Sequence, residues 1–417
     1  MVGIAVLGHG VVGSGVVEIL LKNKDLIKAR SGADVIVKKI LDILDFNSLS
    51  YSGIFTKEFS DILRDESISI VVETIGGLNP SYSYVKHCLE AGKSVVSSNK
   101  ELVAEKGYEL LELAKQNGSS FLFEASVGGG VPILRPLQTC LAANNINSIE
   151  GILNGTTNFI LTKMFREGFS FEESLKLAKS LGYAESNPAA DIEGLDSVRK
   201  ICILSSVAFG KVVRPEEVYV EGIDAVCVED VEFAASIGCV IKLVAKAELK
   251  SEGFVSVVVC PMLLPSSNKL CAVDGVLNGI SIKGDAVGEV LFIGPGAGKL
   301  ATASAVISDI IDIVRYGSKS MPYMLFNSSN LKILDFKENS FSFYFRLRVQ
   351  DIDCLKEVKN YICRSFSVPV FLERENKPEL ELAFKTDCML EGDILNFEEG
   401  LKEFNVRRES KIRIATC

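Results

Sequence analysis

Three glycines near the N-terminus are the first residues whose spacing points to chemistry. Gly8, Gly10 and Gly13 form GxGxxG directly after the apolar run Ile4–Leu7. They stand just before a stretch in which Val16, Val17, Leu20 and Leu21 recur at helical spacing. In that setting the first glycine makes a tight turn, the second admits a pyrophosphate to the backbone, and the third lets helix pack on strand. The helix N-terminus then meets the negative charge. The context predicts a dinucleotide site; a turn that serves packing alone is the competing reading. His9, at a variable position of the motif, reads as a loop residue. An acid after the second strand favours the ribose hydroxyls of NAD, and a basic residue favours the 2′-phosphate of NADP. Asp42 and Asp45 lean toward NAD, while Lys38 and Lys39 leave NADP open.

A second constellation lies in AADIEGLDSVRK, with Asp191, Asp196 and Lys200. Val198, Ile201, Leu204, Ser205 and Ala208 trace one helical face, so Asp196 and Lys200 form an i,i+4 pair. Taken alone, this is a solvated helix salt bridge. Glu185, in the preceding GYAESNP, adds a third carboxylate. Carboxylates around a lysine suit an amino-acid ammonium and leave the lysine to move protons. Lys100 follows a strand and opens a helix, the position where a doubly wound sheet binds ligands. Glu73 and the Gly76-Gly77 turn are candidates by the same argument. GPGAGK, residues 294–299 and including Gly298, lacks the spacing of a phosphate loop and reads as a turn near the cofactor.

The elements that must position these groups follow from periodicity. Strands are expected at Ile4–Leu7, Val35–Leu41, Ser69–Glu73, Val95–Val96 and Phe121–Glu124. Helices at Ser81–Ala91 and Glu101–Gln116 alternate with them, which implies a parallel sheet. Beyond the triple glycine Gly128–Gly130, a helix from Ile133 and a capping box of Ser170 with Glu173 come before strand-like segments at Phe254–Val259 and Glu289–Ile293. A polar stretch, Asn327–Asn339, precedes a β-α-β-β-α-β order that has the ferredoxin-like plan.

Composition narrows the class. At 417 residues the chain has room for two or three domains. Its net charge of −9 comes without a basic block, which argues against nucleic acid or anionic lipid as a partner. Eleven cysteines without a CxxC pair suit reduced thiols, and two histidines are too few for a His-rich metal centre. With no signal peptide and no apolar run of 18 residues, the expectation is a soluble cytoplasmic protein.

The segments together resemble homoserine dehydrogenase. The carrying residues are GHGVVG at 8–13, VVETIGG at 71–77, VVSSNKELVA at 95–104 and FEASVGGGVPIL at 123–134. GILNGTTNFILTKM at 151–164, GYAESNPAADIEGLDSVRK at 182–200 and GDAVGEVLFIGPGAGKLATASAVISD at 284–309 complete the set. The resemblance implies reversible, NAD(P)-dependent reduction of L-aspartate 4-semialdehyde to L-homoserine. It places Lys200 as proton donor and Lys100 beside nicotinamide and substrate. Glu185 and Asp196 hold the substrate, Asp191 orients the site, and Gly182 lies at the substrate turn. Gly8, Gly10, Val11, Val12, Gly13, Glu73, Lys100 and Gly298 fall to the cofactor. A monovalent cation, usually sodium, would be held by carbonyls of Glu124, Val127, Gly129 and Val131; a glycine turn without an ion is the alternative.

The implied architecture is α/β: a Rossmann-type domain over 1–130, an α+β substrate and dimerisation domain over 131–325 with strands returning to the first domain near its end, and an ACT-like domain over 340–417. The same resemblance suggests a homodimer and, with no kinase segment ahead of the dinucleotide fold, a monofunctional chain. There are departures. Asn187 stands where an aspartate is common, and the usual Pro-Gly turn before the first tail helix is replaced by Asp351-Ile352-Asp353-Cys354-Leu355. Weak or absent threonine inhibition is therefore expected. Two further readings stand beside the enzyme: a catalytically silent NAD(P)-binding amino-acid sensor, and a dehydrogenase of a related amino-acid semialdehyde.

Overall fold

The computed structural model describes residues 1–250, 253–317, 330–375 and 377–415. The first three positions of the expected polar stretch, 327–329, lie outside them. The chain packs into two compact units: residues 1–147, 199–215 and 283–329, and residues 148–198, 216–282 and 330–417.

The first unit is built on a parallel sheet. Its strands are β1 (Val2–Leu7), β2 (Val35–Leu41), β3 (Phe55–Thr56), β4 (Ile68–Glu73), β5 (Ser94–Ser97) and β6 (Phe121–Leu122), in the order β3-β2-β1-β4-β5-β6. That is the Rossmann-type order, with the reversal beside β1. Helices α1 (Val11–Lys22), α2 (Lys24–Ser31), α3 (Ser60–Leu63), α4 (Ser81–Glu90), α5 (Lys100–Gln116) and α6 (Leu134–Gln138) belong to this unit. Ile4, Ala5, Val6 and Leu7 are wholly buried, which is why an unbroken apolar run suits a strand covered on both faces.

The second unit carries β7 (Ile146–Ile152), helices α7 (Gly155–Glu167), α8 (Phe171–Ser180) and α9 (Ala189–Ile192), and the start of α10 (Leu195–Phe209). Next come β8 (Tyr219–Val220), α11 (Val228–Ser236), β9 (Cys239–Lys250), β10 (Phe254–Pro265) and β11 (Leu277–Gly284). Both halves of the capping box form at α8: the Ser170 hydroxyl takes the Glu173 N–H, and the Glu173 carboxylate takes the Ser170 N–H. The chain then returns to the first unit for β12 (Gly288–Pro295) and α12 (Lys299–Tyr316). A Cβ on Gly15 of α1 would lie 2.6 Å from the Lys299 carbonyl oxygen, so α1 and the start of α12 meet backbone to backbone.

After β13 (Lys332–Ile333) the tail runs β14 (Ser340–Val349), α13 (Ile352–Ser365), β15 (Val370–Leu372), β16 (Glu381–Lys385), β17 (Met389–Leu390), α14 (Glu391–Leu401) and β18 (Val406–Ile414). Its strands pair in the order β18-β14-β16-β15, all antiparallel. This sheet is not set apart. β18 pairs in parallel with β10 through Met262–Arg413 and Leu263–Ile414, so tail and middle share one mixed sheet.

One strand is shorter than its pattern implies. Phe121–Glu124 is apolar enough for a strand, but β6 ends at Leu122 and Glu124–Ser126 form a single 3₁₀ turn. The Glu124 N–H donates to the buried Asp309 carboxylate at 2.8 Å, which takes it out of the sheet ladder.

Candidate functional site

In the first unit the glycine motif sits where the sheet order reverses. Gly8 has φ +90°, and a Cβ on Gly13 would lie 2.0 Å from the Gly8 carbonyl oxygen. Only glycine allows both the turn and the close packing. Gly10 is the N-cap of α1 and has open space around the place of a Cβ, so Val11 and Val12 form the first turn of a helix open to an anion. Thr74 clamps the motif by donating its hydroxyl to the carbonyls of Leu7 (3.0 Å) and Gly8 (2.9 Å).

Asp42, the first residue after β2, accepts the His9 N–H at 2.6 Å and the Leu44 N–H at 2.9 Å. His9 is buried edge-on to Phe46 and Phe55, with Tyr51 Oη 3.3 Å from its Nε2. Burial lowers its pKa, Asp42 opposes that shift and Lys299 adds to it. A cavity of about 830 Å³ runs along Gly10, Val11 and Ser14, with Phe46 and Tyr51 opposite. Lys299, directly after Gly298, pairs with Glu18 of α1 at 2.7 Å and brings the GPGAGK turn to this cavity.

Glu73 is fully buried and works on the backbone. It accepts the N–H groups of Ile75 and Gly76 and the Ser97 hydroxyl at 2.6 Å, which folds the Gly76-Gly77 turn. Asn99 joins the same knot, giving its amide to the Gly77 carbonyl and capping α5 by accepting the Leu102 N–H. Lys100 is thereby fixed as the first residue of α5, half-buried. Its neighbour Glu101 lies 3.5 Å from Arg199, the residue before Lys200. The ion pair ties together the segments that carry the two lysines.

Asp196 and Lys200 lie one turn apart on α10 and are 3% and 8% exposed. The solvated salt bridge therefore does not describe them. Asn154, the N-cap of α7, donates its amide to Asp191 at 2.7 Å and to Asp196 at 2.9 Å. Thr156 donates its hydroxyl to the Tyr183 carbonyl at 2.7 Å and holds the turn that carries Gly182 and the exposed Glu185. Sequence reasoning quoted GILNGTTNF without singling out Asn154. Its signal was an N-cap residue ahead of Gly155, which announces a helix start and nothing more.

Around the triple glycine, Gly128 and Gly129 have φ +71° and +56°, and a Cβ on Gly129 would lie 2.3 Å from the Gly296 carbonyl oxygen. Glu124, Val127, Gly129 and Val131 are all buried here. The Glu124 side chain accepts the N–H groups of Ile133, Leu134 and Arg135 at 2.6–2.9 Å, and its backbone carbonyl accepts the Val127 N–H at 3.4 Å. Among the described residues no group of three or more His, Cys, Asp or Glu side chains is placed to hold a metal. Buried carbonyls on a glycine turn have the chemistry to hold a hard monovalent cation.

Family models described as homoserine dehydrogenase, NAD binding domain, and homoserine dehydrogenase match residues 8–124 and 132–311. The homoserine dehydrogenase of Bacillus subtilis is 41% identical over 315 residues, which are 75% of this chain and 72% of that one. A crystal structure of a homoserine dehydrogenase from Thiobacillus denitrificans superposes with a TM-score of 0.90 at 34% identity, covering 99% of this chain and 98% of the other. A hyperthermophilic archaeal homoserine dehydrogenase in complex with NADPH gives a TM-score of 0.64 at 31% identity, over 75% and 97% of the two chains.

Proposed function

Because the chain belongs to the homoserine dehydrogenase family, its reaction is reversible NAD(P)-dependent reduction of L-aspartate 4-semialdehyde to L-homoserine, and we propose that Lys200 moves the proton. The reaction serves threonine, methionine and isoleucine biosynthesis. A nicotinamide, when bound, supplies or accepts the hydride. Lys200 protonates the alkoxide that develops on the aldehyde oxygen and takes that proton back in the reverse direction. Lys100 adds positive charge beside the substrate. Asp196 and Glu185 hold the substrate ammonium, with Asp191 orienting the site and Gly182 shaping its turn. The observation that carries this reading is the burial of Asp196 and Lys200 one turn apart on α10. Lys200→Ala should lower kcat about a thousandfold while leaving NADH affinity unchanged, within the range removal of a general acid spans. Normal turnover in that variant would overturn the assignment.

Gly8, Gly10, Val11, Val12 and Gly13 take the cofactor's pyrophosphate, and Gly298 closes the site. Glu73 serves it through the turn it folds. Asp42 favours NAD, because its carboxylate suits ribose hydroxyls and repels a 2′-phosphate. The archaeal relative bound to NADPH supports a nicotinamide cofactor without deciding this preference. A sodium ion on the carbonyls of Glu124, Val127, Gly129 and Val131 would act structurally, stiffening the glycine turn against Gly296.

The tail reads as a ferredoxin-like, ACT-like regulatory domain, supported by its β18-β14-β16-β15 order. Where the Pro-Gly turn is missing, the Asp351 carboxylate caps α13 by accepting the Cys354 N–H at 2.8 Å. Threonine titrated into the purified enzyme should reduce turnover less than about twofold, a shift under 0.5 kcal/mol; strong inhibition would overturn this reading. A homodimer through the middle segment and a cytoplasmic location complete the proposal. The latter is supported by the thiol state of the described cysteines, none of which is disulfide-bonded.

A further inference from the structure

We infer that Asn154 is a positioning residue for substrate binding, its single amide seating the Asp191 and Asp196 carboxylates side by side for the substrate ammonium. The inference rests on the reading of those carboxylates given above. Asn154 is 5% exposed, so water does not stand in for its partners. The orientation of its amide is forced. The oxygen accepts the Thr157 N–H at 2.9 Å, and only an oxygen can do so, which turns Nδ2 toward the carboxylates. Its two hydrogens then reach Asp191 Oδ1 at 2.7 Å and Asp196 Oδ2 at 2.9 Å.

Three elements are cross-tied by this group: the start of α7, the short helix α9 that carries Asp191, and the first turn of α10 that carries Asp196. Between the last two the chain turns at Gly194, with φ +82°. Like charges brought this close repel, and a donor between them offsets the repulsion. The donor here is neutral. A lysine or arginine in its place would compete with the incoming ammonium, whereas an amide orients the two carboxylates without adding a charge.

Two substitutions separate this role from helix capping. Serine and aspartate are as good at an N-cap as asparagine, so Asn154→Ser and Asn154→Asp should both keep α7 and melt near the parent. Serine has one hydrogen and is too short to bridge; aspartate has none and adds a third negative charge. The KM for homoserine should rise about tenfold in Asn154→Ser and about a hundredfold in Asn154→Asp, the range expected for hydrogen bonds to charged groups. The fall in kcat should be smaller than either, and NADH affinity measured by fluorescence should not move.

Equal KM values in parent and serine variant would overturn the inference, as would equal rises in both variants that follow loss of thermal stability. Should the aspartate variant fail to fold, the KM-against-kcat split in the serine variant decides alone. Asp196→Asn is run beside them. A raised KM there with an unchanged KM in Asn154→Ser sinks only the role of Asn154; an unchanged KM there sinks the carboxylate reading itself.

Discussion

The second unit holds carboxylates in two different ways. At the α7–α9–α10 junction, Asp191 and Asp196 are held by the neutral amide of Asn154. In the tail and the strands it pairs with, carboxylates are held by guanidinium. Glu391 and Arg413 are both 0% exposed and ion-paired, and Arg413 also reaches Glu221 at 2.7 Å. Its guanidinium lies over the rings of Tyr219 and Phe336, 4.9 and 5.2 Å from their centroids. A second such knot joins α11 to the tail sheet, where Asp230 accepts from Arg346 at 2.8 Å and from the Tyr344 hydroxyl at 3.0 Å. Charge matched by charge closes a core. An amide between two carboxylates orients them and adds no charge of its own.

The contrast breaks first at Arg413. Arg413→Ala strands the wholly buried Glu391, and urea unfolding should report a loss of about 3–5 kcal/mol. Replacing both partners, Arg413→Met with Glu391→Leu, should recover much of it, because the wholly buried charge is removed with its partner and the part-exposed Glu221 keeps access to water. If the single substitution proves mild, the tail cluster is not what closes this sheet. Substitutions at Asn154 should do the reverse, moving substrate affinity far more than stability.

A buried carboxylate in the first unit sharpens the comparison with a smaller effect. Asp309 is fully buried between Arg135, 2.6 Å away, and the backbone of Glu124. Burial, and next the Glu124 charge, push its pKa up from 3.8 to about 7, with Arg135 opposing them. An acid whose folded pKa is raised contributes stability that is complete below its unfolded value and is lost as pH rises toward 7. The protein should therefore lose stability across that window by at most about 1.4 kcal/mol per pH unit from this group. Asp309→Asn should remove that slope. Parallel denaturation curves for parent and variant at pH 5 and pH 8 would exclude the effect.

Much of this was legible in the sequence where the cause is local. Gly8, Gly10 and Gly13 announced a strand-turn-helix because each glycine answers a steric need within a few residues. Ser170 and Glu173 announced their capping box for the same reason. Glu73 was found by position, but its task was not, because the Ser97 hydroxyl reaches it only after β4 and β5 align. Glu124 looked like the end of a strand, since nothing nearby in sequence marks Asp309 as the acceptor of its N–H. Asn154 announces only a helix start, because Asp191 and Asp196 come to its amide from elements 37 and 42 residues further along the chain.

The sequence by itself determined the inventory of chemistry: a glycine-rich loop, two lysines without histidine to share their work, and carboxylates on either side of α9. Those follow from residue type and short-range spacing, which act through sterics and periodicity along a few turns of chain. Only the tertiary structure decided which carboxylates meet a guanidinium and which meet an amide. It also decided that the tail continues the middle sheet through β10 and β18. The reason is physical: the state of a buried charge depends on its neighbours in space, and residues such as Arg413 and Glu221, or Asn154 and Asp196, become neighbours only when distant strands and helices pack.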